Sequence, residues 1–102
     1  MKLILKPNEL ILRAGNAKLY QNNVRIKGKL IIATETIYFR TLTEELQKYN
    51  IDLIYSNINE IEFFNTMWLI PNGLIIRTKD QKNISFLINN RNKSSNLITK
   101  MI

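Results

Sequence analysis

The stretch from Val24 to Ile32 constrains the fold most. Val24, Ile26, Gly28, Leu30 and Ile32 fall on one phase, and Arg25, Lys27 and Lys29 on the other before that phase also turns apolar. A period of two is the signature of a strand with one buried face, here bent near Gly28. The pattern recurs. Ile37 and Phe39 share a face in Thr36–Arg40, after a short Thr34-Glu35 turn. Asp52–Tyr55 is a short β-rich piece. In Ile58–Phe64, Ile61 and Phe63 lie opposite Glu60 and Glu62. Leu74, Ile76 and Thr78 alternate with Ile75, Arg77 and Lys79, and Ile84, Phe86 and Ile88 make a last strand. Pro71-Asn72-Gly73 reads as a turn, because Pro presets φ and Gly accepts the positive φ that often follows. Lys79–Asn83 reads as a polar hairpin turn.

After Asn89-Asn90 the period changes. Ser94, Leu97, Ile98 and Met101 sit at helical spacing, which predicts an amphipathic helix over Arg91 to Met101 with Asn90 as its N-cap. The polar segment Thr41–Asn50 reads as a connection with a helical turn. Pro7-Asn8-Glu9 is a break, and Leu10-Ile11-Leu12 fits helix or strand. About seven short antiparallel strands and one terminal helix predict a mostly β, α+β domain, a small partly open barrel or orthogonal sandwich whose mouth the helix covers. The expected core is Val24, Ile26, Leu30, Ile32, Ile37, Phe39, Ile61, Phe63, Leu74, Ile76, Phe86, Leu97 and Ile98. At 102 residues one such core is expected, and a single domain over residues 1–102.

The chain has no His and no Cys. That excludes disulfide scaffolds, thiolate chemistry, Ser-His triads and His- or Cys-based metal sites. Glu44-Glu45 and Glu60 with Glu62 are the paired carboxylates, and nothing in sequence accompanies them as a catalytic or metal partner. A non-enzyme without cofactor or structural metal is expected. No signal-peptide or membrane-spanning run is visible, which suggests a soluble, cytoplasmic protein, either free or peripheral at the inner membrane face. The net charge of +7 points to anionic partners in general. The cations concentrate in residues 1–29 and 67–102, and the acids in residues 30–66.

The segment Gly28–Phe39, GKLIIATETIYF, resembles the "GKLYLTNERLIF" stretch of GRAM domains, a branch of the pleckstrin-homology-like superfold. Asn8-Glu9 and Gly15-Asn16-Ala17 are similar to that family's leader, and Ile58-Asn59-Glu60-Ile61 to a strand start. Ile70–Leu74, Thr78–Asp80, Phe86 and Asn90-Arg91 are similar to its closing hairpin and helix entry. Asn8 and Gln81 stand where the family usually has Gly, and Ser95 near where it often has an aromatic that anchors the helix. The resemblance, closest to bacterial stand-alone copies, implies two near-orthogonal antiparallel sheets with a capping helix. It also implies a non-catalytic module associated with membrane lipids and protein partners.

Two candidate sites follow. Arg25, Lys27 and Lys29 share one strand face, with Lys18 on a strand expected to pair beside them. In folds of this kind the nearby first turn often holds headgroup phosphates, so the ridge is a candidate for anionic lipid headgroups. Lys and Arg are also the ordinary outer residues of strands, and a solvated face is the default reading. Met67, Trp68 and Leu69 are the other candidate, a loop for a membrane or a partner, against the plainer reading that Trp68 packs across the barrel mouth or on the helix. At about 1 kcal/mol each near an anionic leaflet, the four cations give only about millimolar binding, so insertion of Trp68 and Leu69 or multivalency would have to add to it. The alternative is a protein-interaction or self-association module that uses a strand edge or apolar loop. Nucleic acid is a distant third, since no recognition motif accompanies Tyr20 and Tyr38.

Overall fold

Short polar turns between alternating segments force sequence neighbours to pair antiparallel. The computed structural model describes residues 3–102 and contains seven strands and a terminal helix. They are β1 (Ile11–Gln21), β2 (Val24–Ala33), β3 (Thr36–Thr41), β4 (Ile51–Ile54), β5 (Ile58–Thr66), β6 (Ile70–Thr78), β7 (Asn83–Ile88) and α1 (Arg91–Met101). Two 3₁₀ turns, Glu44–Tyr49 and Tyr55–Asn57, flank β4. The strand order is β4-β3-β2-β1-β7-β6-β5, antiparallel throughout. Long β1 joins the two halves of this one sheet: it pairs with β2 along its length and with β7 only over Ala17–Tyr20. The result is a curled half-barrel with α1 packed against β2 and β6.

The inward phase of the strands makes the core. Phe39 and Phe86 are fully buried, with ring centroids 5.4 Å apart. Gly28 admits the Phe39 ring, because a Cβ there would stand 2.7 Å from its Cζ and 2.3 Å from the Arg40 carbonyl oxygen. From α1, Ile98 enters the core fully, while Leu97 and Met101 pack at its margin. The Arg13 Nε–H donates to the Ser94 Oγ at 3.2 Å and ties the helix to β1. The helix therefore docks through Ser94 and Ile98 without an aromatic at Ser95.

Four expectations need correction. Val24 is 54% exposed and Phe63 41% exposed. Val24 opens β2 beside the two-residue Asn22-Asn23 turn, at the end of the β1–β2 ladder. Phe63 lies on the outermost strand, β5, and its ring meets the Arg91 guanidinium at 4.3 Å instead of the core. Asn90 precedes α1 but is left-handed, at φ 53°, and makes no side-chain cap; its carbonyl accepts the Lys93 N–H at 3.1 Å. An N-cap side chain needs extended backbone to reach the first-turn amides. Pro71-Asn72-Gly73 lies inside β6, and the turn falls earlier, at Met67–Leu69. The ladder is irregular across Pro71 and Asn72, since Thr66 stands opposite Ile70 and Phe64 opposite Gly73. A residue without an N–H is at home in such an irregularity. Gly73 serves close packing, because a Cβ there would lie 2.5 Å from the Phe64 ring.

The undecided Leu10–Leu12 run resolves as the entry into β1. The residues before it form a second small core on the outer face, where Leu3 and Leu5 pack on Ile31, Ala33 and Tyr38. Buried Glu9 pins this leader. It accepts from the Tyr38 hydroxyl, from the Lys6 N–H at 3.1 Å and from the Glu35 N–H at 3.2 Å. Burial opposes the carboxylate charge, but these donors outweigh it and hold the Glu9 pKa below its ordinary value. Among the described residues no helix is long and apolar enough to cross a membrane.

Candidate functional site

Pairing register decides which cations meet. The β1–β2 turn places Lys18 opposite Lys27, Tyr20 opposite Arg25 and Asn16 opposite Lys29. Because Ala17, Leu19, Ile26 and Leu30 fill the inward phase, these partners all lie on the outer face. Lys18 and Lys27 line one groove of about 420 Å³, together with Asn16, Asn89, Leu42 and Leu87. Arg25 lies one step away, its guanidinium 5.7 Å from the Tyr20 ring centroid. Lys29 is half-buried one step in the other direction. Among the described residues no carboxylate forms an ion pair with any of the four. Like charges directly opposite on a sheet destabilise it. The groove thus offers two unneutralised ammonium groups, two side-chain amides and an apolar floor, a donor set suited to an anionic group on an apolar stem.

A second groove, of about 640 Å³, opens between β1, β4 and the β6–β7 turn. Its carboxylates already have partners. Asp52 pairs with Arg40 at 2.6 Å, and Asp80 accepts from the Thr78 hydroxyl. This leaves no free charge of the kind the Lys18–Lys27 groove presents.

The apolar candidate is on the surface. Met67 is 76% exposed, Trp68 84% and Leu69 77%, so Trp68 packs neither over the barrel mouth nor on the helix. The three form the turn between β5 and β6, closed by the Leu69 N–H donating to the Thr66 carbonyl at 3.3 Å. Met67 and Trp68 both have φ 47°. Positive φ at both central residues is the type I′ hairpin geometry, which favours Asn-Gly and similar pairs. A bulky residue there costs on the order of 1–3 kcal/mol. The base of the hairpin is firmly held. The Arg91 Nη1–H groups donate to the Phe64 carbonyl at 2.7 Å and to the Gly73 carbonyl at 3.3 Å, and the Thr66 hydroxyl donates to the Asn72 Oδ1 at 2.8 Å.

The two candidates share an end of the molecule. Leu87 stands opposite Gly73 on one side and Lys18 on the other, so one transverse row runs Lys27, Lys18, Leu87, Gly73, Phe64. From Gly73 the turn residues Leu69 and Trp68 lie about 13–17 Å along β6, and from β6 to β1 is about 10 Å across two strand spacings. Measured along the sheet, the tip is about 15–20 Å from Lys18. Arg25 and the Asn22-Asn23 turn lie toward the opposite end. Sequence reasoning missed Asn16, Asn89 and Leu42, which carry no signal outside the folded groove.

Comparison with protein families and with curated proteins finds no match. Among solved structures, the chain is similar to the C-terminal domain of an unknown protein from Leishmania infantum, with TM-score 0.78 and 16% identity over 91% of this chain and 84% of that one. It is also similar to the Vps36 N-terminal PH domain, with TM-score 0.71 and 12% identity over 95% of this chain and 84% of that one. At such identities the likeness concerns the fold, and the fold is pleckstrin-homology-like.

Proposed function

We propose that this chain is a non-catalytic, GRAM-type binding module that takes an anionic membrane-lipid headgroup in the Lys18–Lys27 groove. The observation that carries the reading is the cross-strand lysine pair, placed at one groove without a carboxylate to neutralise it. Sequence resemblance and fold both favour a binding module, and the apolar floor at Leu42 and Leu87 suits the stem of an amphiphile better than a bare ion. Four cations contribute about 4 kcal/mol at an anionic leaflet, so this face alone gives about millimolar binding.

Co-sedimentation tests it, using phosphatidylcholine vesicles with and without phosphatidylserine, at low and high salt. Binding is expected only to the anionic vesicles, to weaken with salt, and to fall on Lys18→Glu/Lys27→Glu. Competition by inorganic phosphate separates a phosphate site from a lipid site: full release by millimolar phosphate would assign the groove to the free anion. Equal recovery on both vesicle types, or none at low salt, overturns the lipid reading and favours a protein partner.

A further inference from the structure

We propose that the Met67–Trp68–Leu69 turn inserts into the interfacial layer of a lipid bilayer. The proposal takes its surface from the membrane reading above, but its evidence lies in different residues. All three side chains are more than three-quarters exposed. Ile70, Pro71 and Phe63 beside them are exposed as well. No charged residue occurs from Phe63 through Ile76, so the hairpin end can leave water without desolvating a charge. The backbone favours Asn or Gly at Met67 and Trp68, and apolar residues stand there in the left-handed conformation. Nothing in the packing of the domain requires them.

The turn's exposed apolar tip suits a bilayer. Around a tight turn, successive side chains leave in different directions. An apolar layer accepts all of those directions at once, and all three side chains are exposed to meet it. Insertion is shallow, because the turn has one internal backbone bond and its other N–H and carbonyl groups need water or headgroups. Trp prefers that depth. Arg91 clamps the base of the hairpin to α1, so the tip is presented on a rigid stem. The lysine groove lies toward the same end of the sheet, about 15–20 Å from the tip, where it can meet headgroups of the same leaflet.

Trp68 is the only Trp of the chain and reports directly. On vesicles of equal parts phosphatidylcholine and phosphatidylserine its emission should shift to the blue, and lipids brominated high on the acyl chain should quench it more than lipids brominated near the end. Leu69→Ser keeps the reporter, and Met67→Asn/Trp68→Gly suits the turn; each should pellet about tenfold more weakly than the parent chain. A protein that pellets with the vesicles while Trp68 keeps its free emission overturns insertion, leaves the headgroup reading intact and assigns the tip to a protein partner. A blue shift that survives Lys18→Glu/Lys27→Glu and high salt supports insertion and overturns the headgroup reading. No pelleting with any vesicle overturns both.

Discussion

Two turns with positive φ close the two hairpins built from the longest strands. Between β1 and β2, Asn22 and Asn23 have φ 52° and 63°; between β5 and β6, Met67 and Trp68 both have φ 47°. The first pair is what the geometry asks for, since Asn tolerates the left-handed region and its side chain bonds locally. Here the Tyr20 hydroxyl donates to the Asn23 Oδ1 at 3.3 Å. The second pair opposes the geometry and gains no burial in return. The fold explains the residues of one turn and leaves those of the other to be explained by what they meet outside it.

The largest expected effect breaks the scaffold that presents both turns. Phe39→Ala removes a fully buried ring that touches Phe86 and fills the space Gly28 leaves. It should cost about 3–5 kcal/mol in urea unfolding, much of a small domain's stability. A loss below about 1 kcal/mol would mean that the core is not assembled around this contact.

Exchanging turn residues sharpens the comparison. Met67→Asn/Trp68→Gly should raise stability by about 1–3 kcal/mol, because the conformational cost is relieved and no packing is lost. Asn22→Met/Asn23→Trp should lower it by a similar amount. If both exchanges prove neutral, the two turns are equivalent and the strain argument at Trp68 fails.

A third probe is pH, because neither turn carries a titratable group whereas the leader does. The folded state holds the Glu9 pKa below its ordinary value of 4.5, so the unfolded chain binds this proton more readily. The stability it confers is complete above the ordinary value and is lost as pH falls through the folded one. Glu9→Gln should flatten that part of the acid limb and cost about 1–3 kcal/mol at neutral pH, because an amide nitrogen replaces an oxygen that accepts an N–H. An unchanged acid limb in Glu9→Gln would show that another carboxylate dominates.

Strand phase made most of this fold legible in the sequence. Alternation identified the inward residues of β2, β3, β6 and β7, and helical spacing gave α1 with its bounds. What failed depended on position across the sheet, which periodicity does not carry. Phe63 has the right phase but sits on an edge strand, and Val24 has the right phase but opens its strand beside a turn. Pro-Asn-Gly has the chemistry of a turn, yet Gly73 was needed under the Phe64 ring, and the chain turned at residues with no turn chemistry. Half of the candidate site was readable. A two-residue turn at Asn22-Asn23 puts Lys18 opposite Lys27 by counting outward from Gln21 and Val24. Asn16, Asn89 and Leu42 come together only where β7 leaves β1 and the chain turns toward α1, a junction set by tertiary packing.

The smallest expected effect on stability separates a binding surface from a merely solvated one. If Lys18 and Lys27 were ordinary outer residues, replacing one would change nothing beyond the scatter of surface substitutions, about 0.5 kcal/mol in either direction. Their direct opposition without an acidic partner predicts a definite sign. Lys27→Gln should stabilise the domain by a few tenths of a kcal/mol at low salt, because it removes repulsion from Lys18. The gain should fade at high salt, where that repulsion is already screened. Lys29→Gln, opposite the neutral Asn16 on β1 and opposite Arg40 on β3, whose charge Asp52 already pairs, should show a smaller salt-dependent gain. The same Lys27→Gln should weaken binding to anionic vesicles. A residue that costs stability in the free protein and contributes to binding has a role outside the fold, the role we propose for Trp68 at the other candidate. If the Lys27→Gln and Lys29→Gln salt series coincide, the cross-strand pair is as solvated as any other lysine, and the electrostatic argument for the groove fails.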